Sequence, residues 1–251
     1  MLGGEVQHVE AWAPLYHEPL VHLPAAFVKE AKDILVLGGG TLFAAAEALK
    51  YRTVKRVVVV DHDPKVTEVV AQHYAHARDC LRDDRFQIVA KNAYGGRAIS
   101  ECKFDLVIND GVDLLDLHCQ PGITKTSADI FAVLSAWLNA GGVCADVIQR
   151  HLFERHRILQ TISRLRRRGR IALSLVLLPE YHGVLHVLSI WGNRGGAVSQ
   201  HATRPLNGEQ LGWMRPRGRC PCTYYNPKFL PYYLYLPRYV KDVLGARRSV
   251  A

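Results

Sequence analysis

Apolar positions along the chain fall into short unbroken runs, separated by longer segments where they recur every three or four residues. Ile34-Leu35-Val36-Leu37 is the first run and Val57-Val58-Val59-Val60 the second; Phe86–Ala90, Leu106-Val107-Ile108 and Val143–Ile148 follow. Runs this short, continuous rather than alternating, fit strands buried on both faces. Between them the sequence predicts helices over Leu42–Leu49, Pro64–Ala77 and Ala128–Leu138, the last stopped at Gly141-Gly142. Alternating strands and helices predict a parallel sheet covered on both faces, with ligands at the carboxyl ends of the strands. Leu173–Leu178 and Leu185–Ile190 predict a hairpin that finishes the sheet, and Gly192–Gly218 reads as loop-rich. No internal repeat is visible.

The first run ends in Gly38-Gly39-Gly40 and the second in Asp61. Glycines directly after a strand let the backbone turn tightly and approach a ligand with no side chain between them. An acid at the end of the next strand accepts hydrogen bonds from ribose hydroxyls. Together they predict that a domain from about Lys32 to Ile148 holds an adenosyl group. Phe43 stands at the third glycine position of the G-x-G-x-x-G fingerprint, which counts against a dinucleotide. Asn92, after the third strand, has an amide suited to an adenine edge and is also a common turn former.

Composition narrows the class. The chain has 251 residues, 49% hydrophobic and 22% charged, an ordinary balance for one large domain with small additions. No apolar run reaches the roughly 18 residues of a membrane span, and Met1–Glu5 lacks the basic start of a signal peptide, so a cytoplasmic protein is expected. Six scattered cysteines are expected to be reduced thiols. Cys220-Pro221-Cys222 is a close pair without a second Cys/His pair at suitable spacing, so no metal site is predicted. The net charge of +9 is concentrated late, in Arg150–Arg170. Leu152, Ile158, Leu159, Ile162 and Leu165 recur there at near-helical spacing. The arginines are therefore read as the wet face of a helix, and nucleic acid is not the expected partner.

Several short motifs, in order, resemble the polyamine aminopropyltransferases, the spermidine synthase family. Leu2-Gly3-Gly4-Glu5-Val6-Gln7 resembles the family's Leu-Asp-Gly-x-x-Gln strand, and Tyr16-His17-Glu18 with His22-Leu23-Pro24 its Tyr-His-Glu and His-x-Pro segment. Gly38-Gly39-Gly40 is similar to the start of the glycine motif, and Asp61-His62-Asp63-Pro64 to the acid-x-Asp-Pro ribose motif. Asp83–Ala93 follows the Asp-Pro-Arg to Gly-Asp-Gly block, with Asn92 for its second acid. Asn109-Asp110-Gly111-Val112-Asp113 falls on the catalytic Asp-Ser-x-Asp loop. Pro179-Glu180-Tyr181 stands at the Pro-Thr-Tyr segment and Tyr224-Tyr225-Asn226 at the closing Tyr-Tyr-Asn.

The resemblance implies an α/β fold, a Rossmann-like class I methyltransferase-type parallel sheet with helices on both faces, ending in a β-hairpin. A truncated N-terminal β segment over residues 1–25 would precede a catalytic domain over 26–251. It implies transfer of an aminopropyl group from decarboxylated S-adenosylmethionine to a diamine such as putrescine, releasing methylthioadenosine, without a prosthetic group and in a homodimer. Gln7, Gly38, Gly39, Gly40, Thr41, Asp61, Asn92 and Ala93 would hold the donor. The attacking amine must be neutral, whereas an alkylammonium has a pKa of about 10, so a carboxylate must take its proton. Asp110 is the expected base; Tyr16, His17, Asp113 and Tyr181 would bind and orient the amine.

The chain departs from the pattern in Thr41-Leu42-Phe43, which replaces the family's Asp-Gly-Gly. By resemblance that Asp holds the donor's free amine. Thr41 would not repel a carboxylate, which leaves ordinary S-adenosylmethionine and methyl transfer, or a catalytically silent homologue, as alternatives. Asn92 removes another acid, and Leu114 stands where the family has proline.

Overall fold

The computed structural model describes residues 6, 9–92, 99, 102–111, 130–148, 155–169, 171–179, 184–193 and 222–244. Seven strands form one sheet: β1 (Asp33–Gly38), β2 (Arg56–Asp61), β3 (Phe86–Ala90), β4 (Phe104–Asp110), β5 (Leu138–Ile148), β6 (Ile171–Leu178) and β7 (Val184–Gly192). Their spatial order is β3-β2-β1-β4-β5-β7-β6. β1 to β5 pair in parallel, whereas β7 runs antiparallel to both β5 and β6. This is the Rossmann-like, methyltransferase-type α/β fold expected from the sequence. Strand order reverses beside β1, where β4 pairs with it and Gly38 meets Asp110 in register. A ligand crevice opens at such a switch point.

Helices cover both faces, which explains the unbroken apolar runs. Ile34, Val36, Val57 and Val59 face one core with helices α1 (Ala13–Ala25), α2 (Phe43–Leu49), α3 (Pro64–His73) and α4 (Ala75–Arg82). Leu35, Leu37, Val58 and Val60 face the other, with α5 (Ile130–Ala136) and α6 (Arg155–Arg168). A polar residue at any of these positions would forfeit about 1.5–3 kcal/mol of apolar burial. Two short C-terminal helices complete the layers, α7 (Leu230–Tyr233) on the first core and α8 (Arg238–Val243) on the second. On α6, Ile158, Ile162 and Leu165 are buried while Arg155, Arg166 and Arg167 are exposed, so the arginines form a solvated face. No helix among the described residues is long and apolar enough to cross a membrane.

The structure differs from the sequence expectations at four places. Residues 13–25 of the expected β segment are helical, after a 3-10 turn at Glu10–Trp12. His17–Ala25 are buried without a break, so this helix shows no polar stripe, and Pro19 and Pro24 inside it mask its helical signal further. The segment read as one helix over Pro64–Ala77 is two, broken where Tyr74 is extended (φ −116°, ψ 131°). α2 starts at Phe43 because Leu42 takes a left-handed conformation (φ 62°). Gly141 and Gly142 lie inside β5 instead of stopping a helix, at a break in register between Phe104↔Leu138 and Leu106↔Val143.

The Glu18 side chain ties α1 to the C-terminal segment. Glu18 is 1% exposed, and its Oε1 accepts from the backbone N–H (2.8 Å) and hydroxyl (3.1 Å) of Thr223. Its Oε2 accepts from the backbone N–H groups of Tyr224 (2.8 Å) and Tyr225 (2.6 Å). An amide in its place turns an NH2 group either toward two N–H donors or toward the Thr223 N–H and hydroxyl. Leaving buried donors unpaired costs about 1–3 kcal/mol each. Glu18→Gln is therefore expected to lower stability by about 2 kcal/mol or more, read as a lower urea midpoint at unchanged m-value.

Candidate active site

The site assembles at the carboxyl edge of β1, β2 and β4. Gly38 (φ +73°) and Gly39 (φ +71°) turn the chain across the end of β4. A Cβ on Gly38 would lie 2.7 Å from the Gly111 Cα, and one on Gly39 would lie 2.9 Å from Asp110 Oδ2. Only glycine adopts these angles cheaply and fits this space. Gly40 donates its N–H to Asp61 Oδ2 (2.9 Å), and its carbonyl accepts from the Thr67 hydroxyl (2.9 Å). Asp61 Oδ1 accepts from the Asp63 N–H (2.9 Å). Asp63 in turn caps α3 by accepting from the Lys65 N–H (3.0 Å), with Pro64 in the first turn. The turn and the acid are thus locked to each other before any ligand arrives.

α1 brings two more predicted residues to Asp110. Tyr16 hydrogen-bonds the Asp110 carboxyl. His17 Nδ1 donates to the Ala13 carbonyl (3.0 Å), which aims Nε2 at Asp110 Oδ2, 3.8 Å away. Burial is the dominant influence on Asp110 and pushes its carboxyl from the ordinary 3.8 up to about 7. The Tyr16 hydrogen bond works against that shift, and the charge of Asp61 adds to it.

An aromatic wall that sequence reasoning missed closes one side. Phe43 stacks on His76 at 3.9 Å and on His17 at 5.1 Å, with Tyr74 edge-on at 6.1 Å. His76 Nε2 donates to the Thr41 carbonyl (2.9 Å), pinning the residue after the glycine turn. The extended residue Tyr74 brings its own ring and that of His76 to this wall, and no sequence period announces it. Also unforeseen is the buried pair Asn109 and Asp146, joined by Nδ2–H to Oδ1 at 2.6 Å beneath the end of β4.

Of the residues named from sequence, Tyr16, His17, Gly38, Gly39, Gly40, Thr41, Asp61 and Asp110 gather at this edge. Asn92 lies exposed just beyond β3, whose Ala90 pairs with Asp61. Gln7, Ala93, Asp113 and Tyr181 lie outside the described residues. The arrangement offers an acid beside a glycine turn for a polar diol, and a proton acceptor poised near neutrality against a tyrosine and a histidine. Such a carboxyl suits general-base work on an amine.

Comparison with known proteins bears on the family and the fold. The family model for the spermine/spermidine synthase domain matches residues 13–200. A polyamine aminopropyltransferase from Aeropyrum pernix is 33% identical over 170 residues, covering 66% of this chain and 54% of the relative. One from Escherichia fergusonii is 25% identical over 255 residues, covering 99% of this chain and 83% of the relative. Among solved structures, a spermidine synthase from Thermotoga maritima superposes with a TM-score of 0.73 at 19% identity, over 93% of this chain and 75% of that one. A spermidine synthase in complex with the transition-state analogue AdoDATO gives 0.75 at 20% identity, over 93% and 76%. At these identities the structural likeness speaks for the fold.

The shifted Asp110 has a consequence for stability. Folded, the carboxyl keeps its proton up to about pH 7, whereas unfolded it releases it near 3.8. Between those values the folded state binds more protons, so this group makes stability fall as pH rises. Asp110→Asn lacks the penalty. Its stability relative to the native chain should grow from about pH 4 to about pH 8, measured by urea midpoints at each pH. A constant difference across that window would mean that Asp110 is not held protonated.

Proposed function

Because the chain belongs to the spermine/spermidine synthase family, we propose that it is a transferase that moves an aminopropyl group from decarboxylated S-adenosylmethionine to a diamine such as putrescine. The observation that carries this reading is the buried Asp110 carboxyl, held between the Gly39 turn and the Tyr16–His17 pair. The names of the curated relatives point the same way and favour aminopropyl over methyl transfer.

In this reading the glycine turn and Asp61 hold the donor's adenosyl part, Asp61 through the ribose hydroxyls, with Asn92 and Ala93 at the adenine and Gln7 and Thr41 completing the donor site. The donor is a co-substrate, and no prosthetic group takes part. The acceptor's nitrogen attacks the carbon beside the sulfonium in line with the departing sulfur. A nitrogen–carbon bond forms, the carbon–sulfur bond breaks, and methylthioadenosine leaves with the electron pair. Asp110, ionised, takes the proton that the amine sheds. Tyr16, His17 and Tyr181 orient the amine, and Asp113 holds its far ammonium. Fixing these partners in line removes much of the orientational entropy of the step. We place the enzyme in the cytoplasm as a homodimer, for which light scattering on the purified chain is the check.

The test is incubation with decarboxylated S-adenosylmethionine and a panel of amines, reading methylthioadenosine. The limiting base gives kcat/KM an ascending limb with an apparent pKa of about 7. Asp110→Asn should cut turnover by about 10²–10⁴-fold with donor affinity nearly intact. Adenosylhomocysteine from ordinary S-adenosylmethionine, with no methylthioadenosine from any amine, would overturn the reading.

Thr41→Asp returns a carboxylate to the position where the family holds the donor's amine. Competition between the two donors should then shift toward the decarboxylated one by about tenfold, the equivalent of one modest ion pair.

A further inference from the structure

The Cys220-Pro221-Cys222 motif found no partners in sequence, yet the fold brings two to Cys222. His22, from α1, is fully buried, and Glu47 comes from α2. One ligand atom each from His22, Glu47 and Cys222 lies within 4.8 Å of the other two. None of the three belongs to the site around Asp110. The three residues come from separate parts of the chain, and each is held by its own contacts. Glu18 grips the backbone of Thr223, Tyr224 and Tyr225, next to Cys222. The His22 ring packs against Tyr51 (5.4 Å) and Tyr225 (5.2 Å).

The histidine contacts narrow the chemistry. His22 Nδ1 lies 2.8 Å from the Tyr51 hydroxyl, and Nε2 lies 2.9 Å from Glu47 Oε2. With Nδ1–H donated to Tyr51, the Nε2 lone pair faces a carboxylate oxygen. In the other tautomer Nε2–H donates to Glu47 and Nδ1 accepts from the Tyr51 hydroxyl, so a metal ion at Nε2 would select the first. A histidine oriented through its other nitrogen is the usual arrangement around a bound metal. We infer that His22, Glu47 and Cys222 form a binding site for a divalent transition-metal ion, zinc foremost, with water completing its coordination.

One nitrogen, one oxygen and one sulfur donor select zinc over magnesium or calcium, which take oxygen ligands. On binding, the Cys222 thiol releases its proton to solvent and its sulfur bonds the metal; His22 is neutral, Glu47 ionised, and nothing is oxidised or reduced. Burial pushes the Cys80 thiol up to about 12 and that of Cys144 well up, so neither supplies a competing thiolate. Lys50 Nζ, 2.5 Å from Glu47 Oε2, is the competing cation, and its partly exposed side chain can swing into water. The ion would cross-link α1, α2 and the C-terminal segment, beside the grip that Glu18 already provides.

Cobalt(II) titration of the untagged, chelator-stripped full chain tests the site. A stoichiometric sulfur-to-cobalt charge-transfer band is expected, displaced by zinc, with zinc raising the Tm. Cys222→Ser, with an unchanged circular dichroism spectrum, should lose the band and bind zinc more than about 100-fold more weakly. Tyr51→Phe should weaken zinc by about 10–100-fold, the usual effect of losing a ligand-orienting partner. Lys50→Ala should tighten it. No band in the native chain, or a band that persists in Cys222→Ser, overturns the site. These readouts do not depend on the reaction catalysed at Asp110.

Discussion

Asp110 ends β4 with its side chain largely buried, only 7% exposed, and the arrangement around it follows from that burial. A carboxylate taken out of water is costly, so the group either keeps its proton or finds partners. Here it does part of each. The Gly38-Gly39 turn comes so near that even one methyl group at Gly39 would touch its oxygen, which leaves no room for solvent on that side. Tyr16 supplies a hydrogen bond, His17 stands 3.8 Å off, and the negative charge of Asp61 opposes ionisation. The result is a carboxyl that changes state near pH 7 instead of near 4, which is what an acceptor of amine protons needs.

The sheet was legible in the sequence because both of its faces are buried. The central strands β1 and β2 had to be apolar at four consecutive buried positions, and such runs stand out whatever the helices do; the edge strand β3, with exposed Gln87, is less regular. The chemistry at the strand ends was legible for a related reason. Gly38 and Asp61 close two apolar runs, and parallel register forces the ends of β1, β2 and β4 onto one edge. What failed were features set by distant contacts. α1 lies so deep that it lacks the polar stripe that marks a surface helix. Tyr74 takes an extended conformation where helical periodicity runs straight through. Gly141 and Gly142 carry the same glycine signature whether they stop a helix or break a strand's register.

The site divides in the same way. Asp110 and Asp61 could be placed from the order of elements, whereas Tyr16 and His17 could be placed only by resemblance, since nothing local distinguishes them from ordinary half-buried rings. The Glu18 grip joins residues more than two hundred positions apart and leaves no periodic trace. The glutamate was in plain view within Tyr16-His17-Glu18, but its partners are backbone N–H groups, which every residue type except proline offers. His22 and Cys222 met the same obstacle: each was noticed alone, and only the packing of α1 against the C-terminal segment makes them neighbours.

Thr41 is the point where electrostatics and family pattern pull apart. A carboxylate here would sit directly after Gly40, whose N–H already binds Asp61, and two residues past Gly39, which touches Asp110. That would place a further like charge in a region that already pushes the Asp110 carboxyl upward. Without it, Asp61 is the like charge that adds to the burial raising Asp110, and in the proposed reading the donor's ammonium has one partner fewer. The space beside the turn is filled instead by Phe43, stacked between His17 and His76, while the Thr41 carbonyl accepts from His76. The charge the family uses to hold a tail has thus been exchanged for an apolar wall. In the proposed reading, binding of the donor then rests more heavily on its adenosyl part, on the very turn and acid that the strand pattern first exposed.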